Sequence, residues 1–185
     1  MGLFLQTVIV PGCGEEQVRN ALETVAKSDT DSGIPMELDP AQCRYQVHEK
    51  GVGVLLNEDC IGFEDLASQL SKAIGGPLML LYIYDGDYWG YFLLDNGTVM
   101  DMFNPVPDYF EELPEEEMEE LKGNAQLVAE YFQVDRASIE NYLVRWTDEI
   151  LEAEEQKAYE EDEFEMGSDW QMADFMGRLG FPYEW

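Results

Sequence analysis

The chain contains few residues of the types that carry nucleophilic catalysis. His48 is its only histidine and lies in a short predicted strand with Arg44, shortly before Lys50. A catalytic triad or dyad needs a base held against a nucleophile by further partners. We therefore interpret His48 as an ordinary strand residue, and a Cys–His enzyme that uses Cys43 or Cys60 is the alternative.

The segment Gly12-Cys13-Gly14 lies between a predicted strand and a predicted helix, where phosphate-binding loops occur. It lacks the Lys-Ser/Thr pair of a P-loop and the third glycine of a dinucleotide fingerprint. Glu15 and Glu16 would also repel a phosphate at the start of the helix. We interpret this segment as a turn that leads into a helix.

Two acidic turns resemble the opening of a calcium-binding loop, namely Asp85-Gly86-Asp87 and Asp29-Thr30-Asp31. In the first, Asn96 occupies the twelfth position, where a bidentate Glu is expected. Asp and Gly are also the residues that tight turns use, so both segments are predicted to be turns. Soft metals need clusters of Cys and His, which the sequence does not have, and we predict no cofactor.

Charge is the most unusual property of the chain. It has 185 residues, with 40 Asp and Glu against 10 Lys and Arg, and a formal net charge of -30. Hydrophobic residues make up 45% of the sequence, which is enough for a folded core rather than a disordered chain. Phosphate backbones and anionic membranes repel such a surface. We therefore expect a basic protein partner, with no binding of nucleic acid or membranes.

The acidic residues are concentrated after Phe110. Residues 1–110 contain 17 acidic and 5 basic residues, whereas residues 111–185 contain 23 acidic and 5 basic residues. The densest segments are Glu111–Glu120 and Glu152–Glu165. Each is either a solvated surface or a patch that steers a basic partner. The candidate partner-binding residues, with the turn acids and two aromatic anchors included, are Glu111, Glu112, Glu115, Glu116, Glu117, Glu119, Glu120, Glu154, Glu155, Glu160, Glu161, Asp162, Glu163, Asp85, Asp87, Trp89 and Tyr109. Trp185 is a further candidate anchor.

Hydrophobic periodicity and turn residues predict the elements that position these side chains. The predicted strands are Leu3–Val10, Arg44–His48, Val52–Leu56, Leu78–Tyr84, Tyr88–Leu94 and Val99–Phe103, the last two joined by Asn96-Gly97. The predicted helices are Glu15–Lys27, Phe63–Ile74, Pro114–Leu121, Asn124–Phe132, Ala137–Gln156 and Asp169–Leu179. Ser28–Pro35 is predicted to be a loop and Glu160–Glu165 an acidic linker.

This element order predicts an α+β fold. The first six elements match a split βαβ arrangement in a mixed or antiparallel sheet, and the last two strands extend the sheet as a β-meander. A helical part follows. We expect a single domain over 1–185, with a sheet part at 1–105 and an acidic helical part at 106–185, as a monomer or homodimer. Three cysteines without CxxC spacing, no secretory signal and no run long enough to span a bilayer favour a cytoplasmic protein.

The stretch from Tyr82 to Phe110, with Tyr84-Asp85-Gly86-Asp87-Tyr88 and Asp101-Met102-Phe103-Asn104-Pro105 within it, resembles a group of bacterial proteins. Some of them look like immunity proteins of polymorphic toxin and contact-dependent inhibition systems. The resemblance implies a cytosolic protein that binds and blocks a toxin domain. A basic, nuclease-like toxin would complement the charge.

The leading hypothesis is therefore a non-enzymatic acidic inhibitor of a basic toxin enzyme. A first alternative is a small-ligand-binding protein or an enzyme with a pocket at the aromatic strands 82–103. A second alternative is a structural or oligomeric protein whose acidic surface maintains solubility.

Overall fold

The structure, a computed structural model, describes residues 2–28, 37–58, 60, 62–153 and 156–185. It has an α+β fold, in which the strands are mostly N-terminal and the C-terminal part is helical. The predicted fold class is therefore confirmed. The turn Asp29-Thr30-Asp31 and the rest of the predicted loop up to residue 35 lie outside the described residues.

Six strands form one antiparallel sheet in the order β2-β3-β1-β4-β5-β6. The strands are β1 (Leu5–Pro11), β2 (Arg44–His48), β3 (Gly51–Leu55), β4 (Pro77–Tyr84), β5 (Tyr88–Asp95) and β6 (Thr98–Phe103). Val10 of β1 lies opposite Val52 of β3, which also pairs with Val47 of β2. Because β3 lies between β1 and β2, and β1 lies between β3 and β4, the first four strands have the split βαβ order. β5 and β6 continue the sheet as a meander.

The turns between the last three strands follow from residues that tolerate a left-handed backbone. Asp85 and Gly86 connect β4 to β5 with φ values of 53° and 75°, and Asn96 and Gly97 connect β5 to β6 with φ values of 48° and 80°. Positive φ at both central residues is the requirement of a type I′ turn, whose twist matches that of a hairpin. These four residues therefore fix two consecutive hairpins locally.

Two amphipathic helices follow β1 and β3. They are α1 (Glu15–Ala26) and α2 (Phe63–Ile74). α1 buries Val18, Leu22 and Val25, which recur at helical spacing. α2 ends at Gly75, which has φ 75° and donates its N–H to the Ser71 carbonyl at 2.9 Å. Both helices begin and end close to the predicted residues.

The chain divides into two compact units. One consists of Met1–Phe4, Ile83–Tyr91 and Asp101–Glu184, and the other of Leu5–Tyr82, Phe92–Met100 and Trp185. The organisation as a single domain, with parts at 1–105 and 106–185, stays a prediction. No helix in the described part of the chain has both the length and the apolar character needed to span a membrane.

The helical part after β6 is built from short elements. They are α3 (Glu115–Glu120), α4 (Ala125–Phe132), two 3₁₀ turns at Arg136–Ser138 and Glu140–Tyr142, α5 (Asp148–Glu152) and α6 (Gln171–Leu179). Asn124 caps α4 by accepting the Leu127 N–H, and Asp135 caps the first 3₁₀ turn by accepting the Ala137 N–H. The helices predicted at 114–121, 124–132 and 169–179 are present with shifted ends.

The long helix predicted over Ala137–Gln156 is wrong. Ile139 and Tyr142 are buried as expected, but the backbone reaches them through i→i+3 turns. The Trp146 N–H then donates to the Pro105 carbonyl at 2.8 Å and not to a carbonyl one helical turn earlier. Long-range pairing of this amide replaces a helical hydrogen bond, so among the described residues of this range the α-helix is limited to α5.

Candidate protein-binding surface

Cys43 and Cys60 are poorly suited to nucleophilic chemistry. Cys43 is buried, with its sulfur 3.5 Å from the Asp39 carbonyl oxygen, and burial raises the pKa of its thiol. Burial raises the pKa of Cys60 to about 12. Because the thiolate is the reactive form, thiols with raised pKa values are weak nucleophiles at neutral pH.

The acidic turn Asp85-Gly86-Asp87 is a tight hairpin turn. The Asp87 N–H donates to the Tyr84 carbonyl at 2.9 Å and closes it. Within the described ranges, no group of three or more His, Cys, Asp and Glu side chains is placed to hold a metal ion.

Two clefts have volumes of about 680 and 580 Å³. The first is lined by α1 residues such as Asn20 and Thr24, together with Ala73 of α2. The second lies beside Lys122, Asn124 and Arg136. Neither is lined by the aromatic strands 82–103, and a ligand pocket at those strands stays a prediction.

Five aromatic rings meet next to the acidic turn, and we call them the aromatic cluster: Phe4, Tyr84, Tyr88, Tyr109 and Phe110. Tyr84 is the central ring. Its centroid lies 5.1 Å from that of Phe4, 5.3 Å from that of Phe110 and 5.6 Å from that of Tyr88. The Phe4 and Phe110 rings stand nearly perpendicular to it, at 83° and 89°, which is a favoured geometry for aromatic pairs.

Three separate chain segments bring these rings together. The β4–β5 hairpin supplies Tyr84 and Tyr88. The N-terminal segment crosses the turn, where the Gly86 N–H donates to the Leu3 carbonyl at 2.9 Å. Gly2 packs against Asp85 so closely that an added Cβ would lie 1.8 Å from its Oδ1 atom. Any larger residue at position 2 would push this segment away from the turn.

Much of the aromatic cluster faces solvent. Phe110 is 70% exposed, Phe4 50% and Tyr109 42%, whereas Tyr88 is buried. Exposed apolar rings grouped at one place are unusual on a surface as polar as this one. Buried Tyr88 and half-buried Tyr84 give the exposed rings a rigid base.

Acidic residues adjoin the residues of the aromatic cluster in the sequence. Asp85, Asp87, Glu111 and Glu112 are all exposed, and these side chains have no salt bridge to any described residue. The Tyr109 hydroxyl donates a hydrogen bond to the Asp87 carboxylate, and this bond is the main reason that the pKa of Tyr109 is raised to about 12. The hydrogen bond from Tyr109 thus orders the Asp87 carboxylate, while Asp85, Glu111 and Glu112 are further exposed acidic groups.

The acidic run Glu111–Glu120 continues directly from the aromatic cluster. All seven of its glutamates are exposed. Glu115, Glu116 and Glu117 occupy the first turn of α3, where the helix dipole favours negative charge. Lys122 pairs with Glu119. The exposure of the run is expected both for a solvated surface and for a patch that steers a basic partner.

The second acidic segment is more varied than the sequence suggests. Glu160, Glu161 and Glu163 are exposed, as are Glu152 and Glu165. Glu154 and Glu155 lie outside the described residues. Asp162 is buried, with a side chain that is only 2% exposed, and its inclusion among the partner-binding residues is wrong.

Asp162 is instead an internal hydrogen-bond acceptor. Its Oδ1 atom accepts from the Tyr142 hydroxyl at 2.7 Å and from the Arg178 guanidinium at 2.9 Å, and its Oδ2 atom accepts from the Tyr159 N–H at 3.0 Å. Lys157 donates to the Asp162 carbonyl. The predicted acidic linker is thus held in place by one of its own acids.

Trp89 is also misassigned as an exposed anchor. Its side chain is fully buried, and its Nε1–H donates to Gln171 Oε1 at 3.2 Å. The indole packs against Phe103 and Phe175, with centroid distances of 5.1 Å to each. Tyr109 is exposed as predicted, and Trp185 is partly exposed.

The sequence reasoning missed Phe4 and Phe110 as surface residues. Phe4 was assigned to the first strand, which begins only at Leu5. The signal that could have found Phe110 is its position between Tyr109 and two glutamates, in a proline-flanked segment outside any regular element. No protein-family model, curated protein or solved structure matches the chain.

Proposed function

We propose that the protein is a non-enzymatic, acidic protein-binding module that inhibits a basic partner, in the manner of an immunity protein or antitoxin. The observation that supports this best is the continuity of the aromatic cluster with the acidic run. Tyr109 and Phe110 end the cluster, and Glu111 and Glu112 begin the run. One exposed surface therefore combines apolar anchors with a concentrated negative field.

The two parts of this surface have different physical effects on binding. A concentrated field of one sign can raise association rates by roughly 10- to 1,000-fold. A few large side chains that become fully desolvated on binding, often aromatic, supply much of the binding energy at protein interfaces. The acidic run thus accelerates the encounter, and the aromatic cluster slows dissociation.

The resemblance of Tyr82–Phe110 to immunity-type proteins supports the same proposal. Asp85, Asp87, Tyr109 and Phe110 all lie in this stretch and on the proposed surface. A nuclease-like toxin domain is a suitable partner, because an acidic surface can occupy the basic cleft that such an enzyme uses for nucleic acid. The proposed location is the cytoplasm, where such an inhibitor would meet its target.

The proposal is tested with the product of the adjacent reading frame. We expect co-expression of the two proteins to restore growth that the partner alone arrests. We also expect the association rate of the purified pair to fall about 10-fold or more between 20 and 500 mM NaCl, because salt screens steering.

A control variant separates the electrostatic effect on the association rate from the effect of direct contacts on the dissociation rate. The double variant Glu116→Gln/Glu117→Gln should lower the association rate at low salt and leave the dissociation rate nearly unchanged. Failure of co-expression to restore growth, or an association rate that does not respond to salt, would contradict the proposed function.

A further inference from the structure

We infer that the aromatic cluster, together with Asp85 and Asp87, binds an arginine side chain of the partner. This inference rests on the proposed function and names the group that its surface recognises. The site combines two groups that bind a guanidinium. Exposed ring faces can stack on it, and neighbouring carboxylates can accept its N–H groups.

The rings are available to a cation. Phe110 is 70% exposed and stands at 89° to Tyr84, so at least one of its faces is open to solvent. Tyr109 contacts Phe110 at 4.9 Å between centroids, with an interplanar angle of 82°. These two perpendicular rings form a corner into which a flat, weakly hydrated cation can insert.

The carboxylates are placed to bind the edge of the same cation. Asp87 accepts the Tyr109 hydroxyl, which fixes one oxygen next to the ring and leaves other lone pairs for N–H donors. Asp85 is held at φ 53° in the hairpin turn and packed against Gly2. Because the Tyr109 hydroxyl already orders the Asp87 carboxylate, little side-chain entropy of Asp87 is lost when it binds a guanidinium.

The chain itself twice uses this arrangement internally. The Arg19 guanidinium lies 3.6 Å from the centre of the Tyr45 ring and bonds Glu15 at 2.7 Å. Arg178 lies 4.8 Å from the centre of the Tyr159 ring and bonds Asp162 at 2.9 Å. In both cases one arginine bridges a tyrosine face and a carboxylate.

At the aromatic cluster, Tyr109 and Asp87 repeat this tyrosine–carboxylate pair. No arginine or lysine of the described residues forms a salt bridge with Asp87. We therefore expect the partner to supply the cation that binds Tyr109 and Asp87. Arginine fits better than lysine, because a guanidinium stacks on rings and binds carboxylates through a planar fork, whereas an ammonium is compact and strongly hydrated.

The test compares hexa-arginine with hexa-lysine, two peptides of equal charge, on the full ¹⁵N-labelled chain at 150 mM NaCl. We expect hexa-arginine to bind about 3-fold or more tightly, from the usual strength of exposed cation–π contacts. Its amide chemical-shift changes should centre on residues 84–88 and 109–112. Equal affinities of the two peptides would overturn the preference for arginine.

Variants locate the site. Phe110→Ala should lower the affinity for hexa-arginine by about 2- to 5-fold and leave that for hexa-lysine nearly unchanged. Leu151→Ala is the matched control, because Leu151 is another exposed apolar residue, at 54%, and its loss should change neither affinity. Asp87→Asn should lower the affinity for both peptides. Thermal unfolding of each variant checks that it is folded.

The outcomes separate the two proposals. Binding of both peptides that maps only to residues 115–120, and that Phe110→Ala does not affect, overturns the arginine site and leaves the proposed function standing. Absence of binding by either peptide, even at 20 mM NaCl, contradicts the arginine site and the electrostatic basis of the proposed function together.

Discussion

Asp162 and Glu161 are neighbours in one acidic segment, but the structure gives them opposite environments. Asp162 is buried and accepts hydrogen bonds from Tyr142, Tyr159 and Arg178. Glu161 is exposed, and its carboxylate pairs with the same Arg178 at 3.3 Å. The Tyr142 hydroxyl is buried beside Asp162, and both its burial and its hydrogen bond to Asp162 raise its pKa. A count of acidic residues therefore overstates the charge that is free to meet a partner.

This difference predicts a large asymmetry between two conservative substitutions. Asp162→Asn should lower the free energy of unfolding by about 2–3 kcal/mol, because the half-buried Arg178 guanidinium loses its closer carboxylate and a buried amide N–H₂ faces a donor. Glu161→Gln should change it by less than about 0.5 kcal/mol. Urea unfolding measures both values, and similar losses from the two variants would show that Asp162 is not a structural anchor.

At the scale of the elements, residue types and hydrophobic spacing predict turns and helices correctly where neighbouring residues alone determine the backbone. Asn96-Gly97 and Asp85-Gly86 both form the turns that their residue types favour. The helical spacing of apolar residues also predicts α1 and α2 close to their observed bounds. The segment 137–156 has equally regular apolar spacing, but the Trp146 N–H pairs with Pro105, a contact 41 positions away that no local pattern reveals.

Two glycines provide a prediction at this scale. Gly123 precedes α4 with φ 73°, and an added Cβ would lie 2.9 Å from the Tyr91 hydroxyl and 3.2 Å from Leu143. Gly123→Ala should therefore lower the free energy of unfolding by at least about 1–2 kcal/mol. Gly177 lies inside α6, and beyond its own helix backbone and chain neighbours an added Cβ would meet no described atom within 4 Å. Gly177→Ala should raise it by about 0.5–1 kcal/mol.

Thermal and urea unfolding of both variants check the sign of each change. The pair is informative because the substitution is chemically the same at both positions. A stabilising Gly123→Ala would show that the turn before α4 tolerates an ordinary backbone conformation.

For the whole molecule, the charge imbalance opposes folding. Salt bridges to nearby carboxylates are formed by several basic residues, among them Arg19, Lys27, Lys122, Arg136, Arg145 and Arg178. With 10 basic against 40 acidic residues, most carboxylates have no basic side chain to offset their charge. Self-repulsion of a compact state with net charge -30 is greatest when salt does not screen it.

We therefore expect the Tm to rise with salt. Screening worth about 1–2 kcal/mol between 10 and 300 mM NaCl corresponds to an increase of roughly 2–8 °C for a chain of this size. The triple variant Glu111→Gln/Glu112→Gln/Glu120→Gln, which spares the first turn of α3, should have a higher Tm at low salt and a smaller increase of Tm with salt. A Tm that is constant across this range would show that the acidic surface does not destabilise the fold.

The sequence by itself determined the α+β class, the strand order of two hairpins, the first helices and the concentration of acid after Phe110. These features depend on residue type, hydrophobic period and turn chemistry, which act over a few neighbouring residues. Only the tertiary structure decided that Trp89 and Asp162 are buried and that Phe4 and Phe110 flank Tyr84 on the surface. Burial and side-chain contact depend on segments far apart in the chain, because the free energy of packing is a property of the assembled fold.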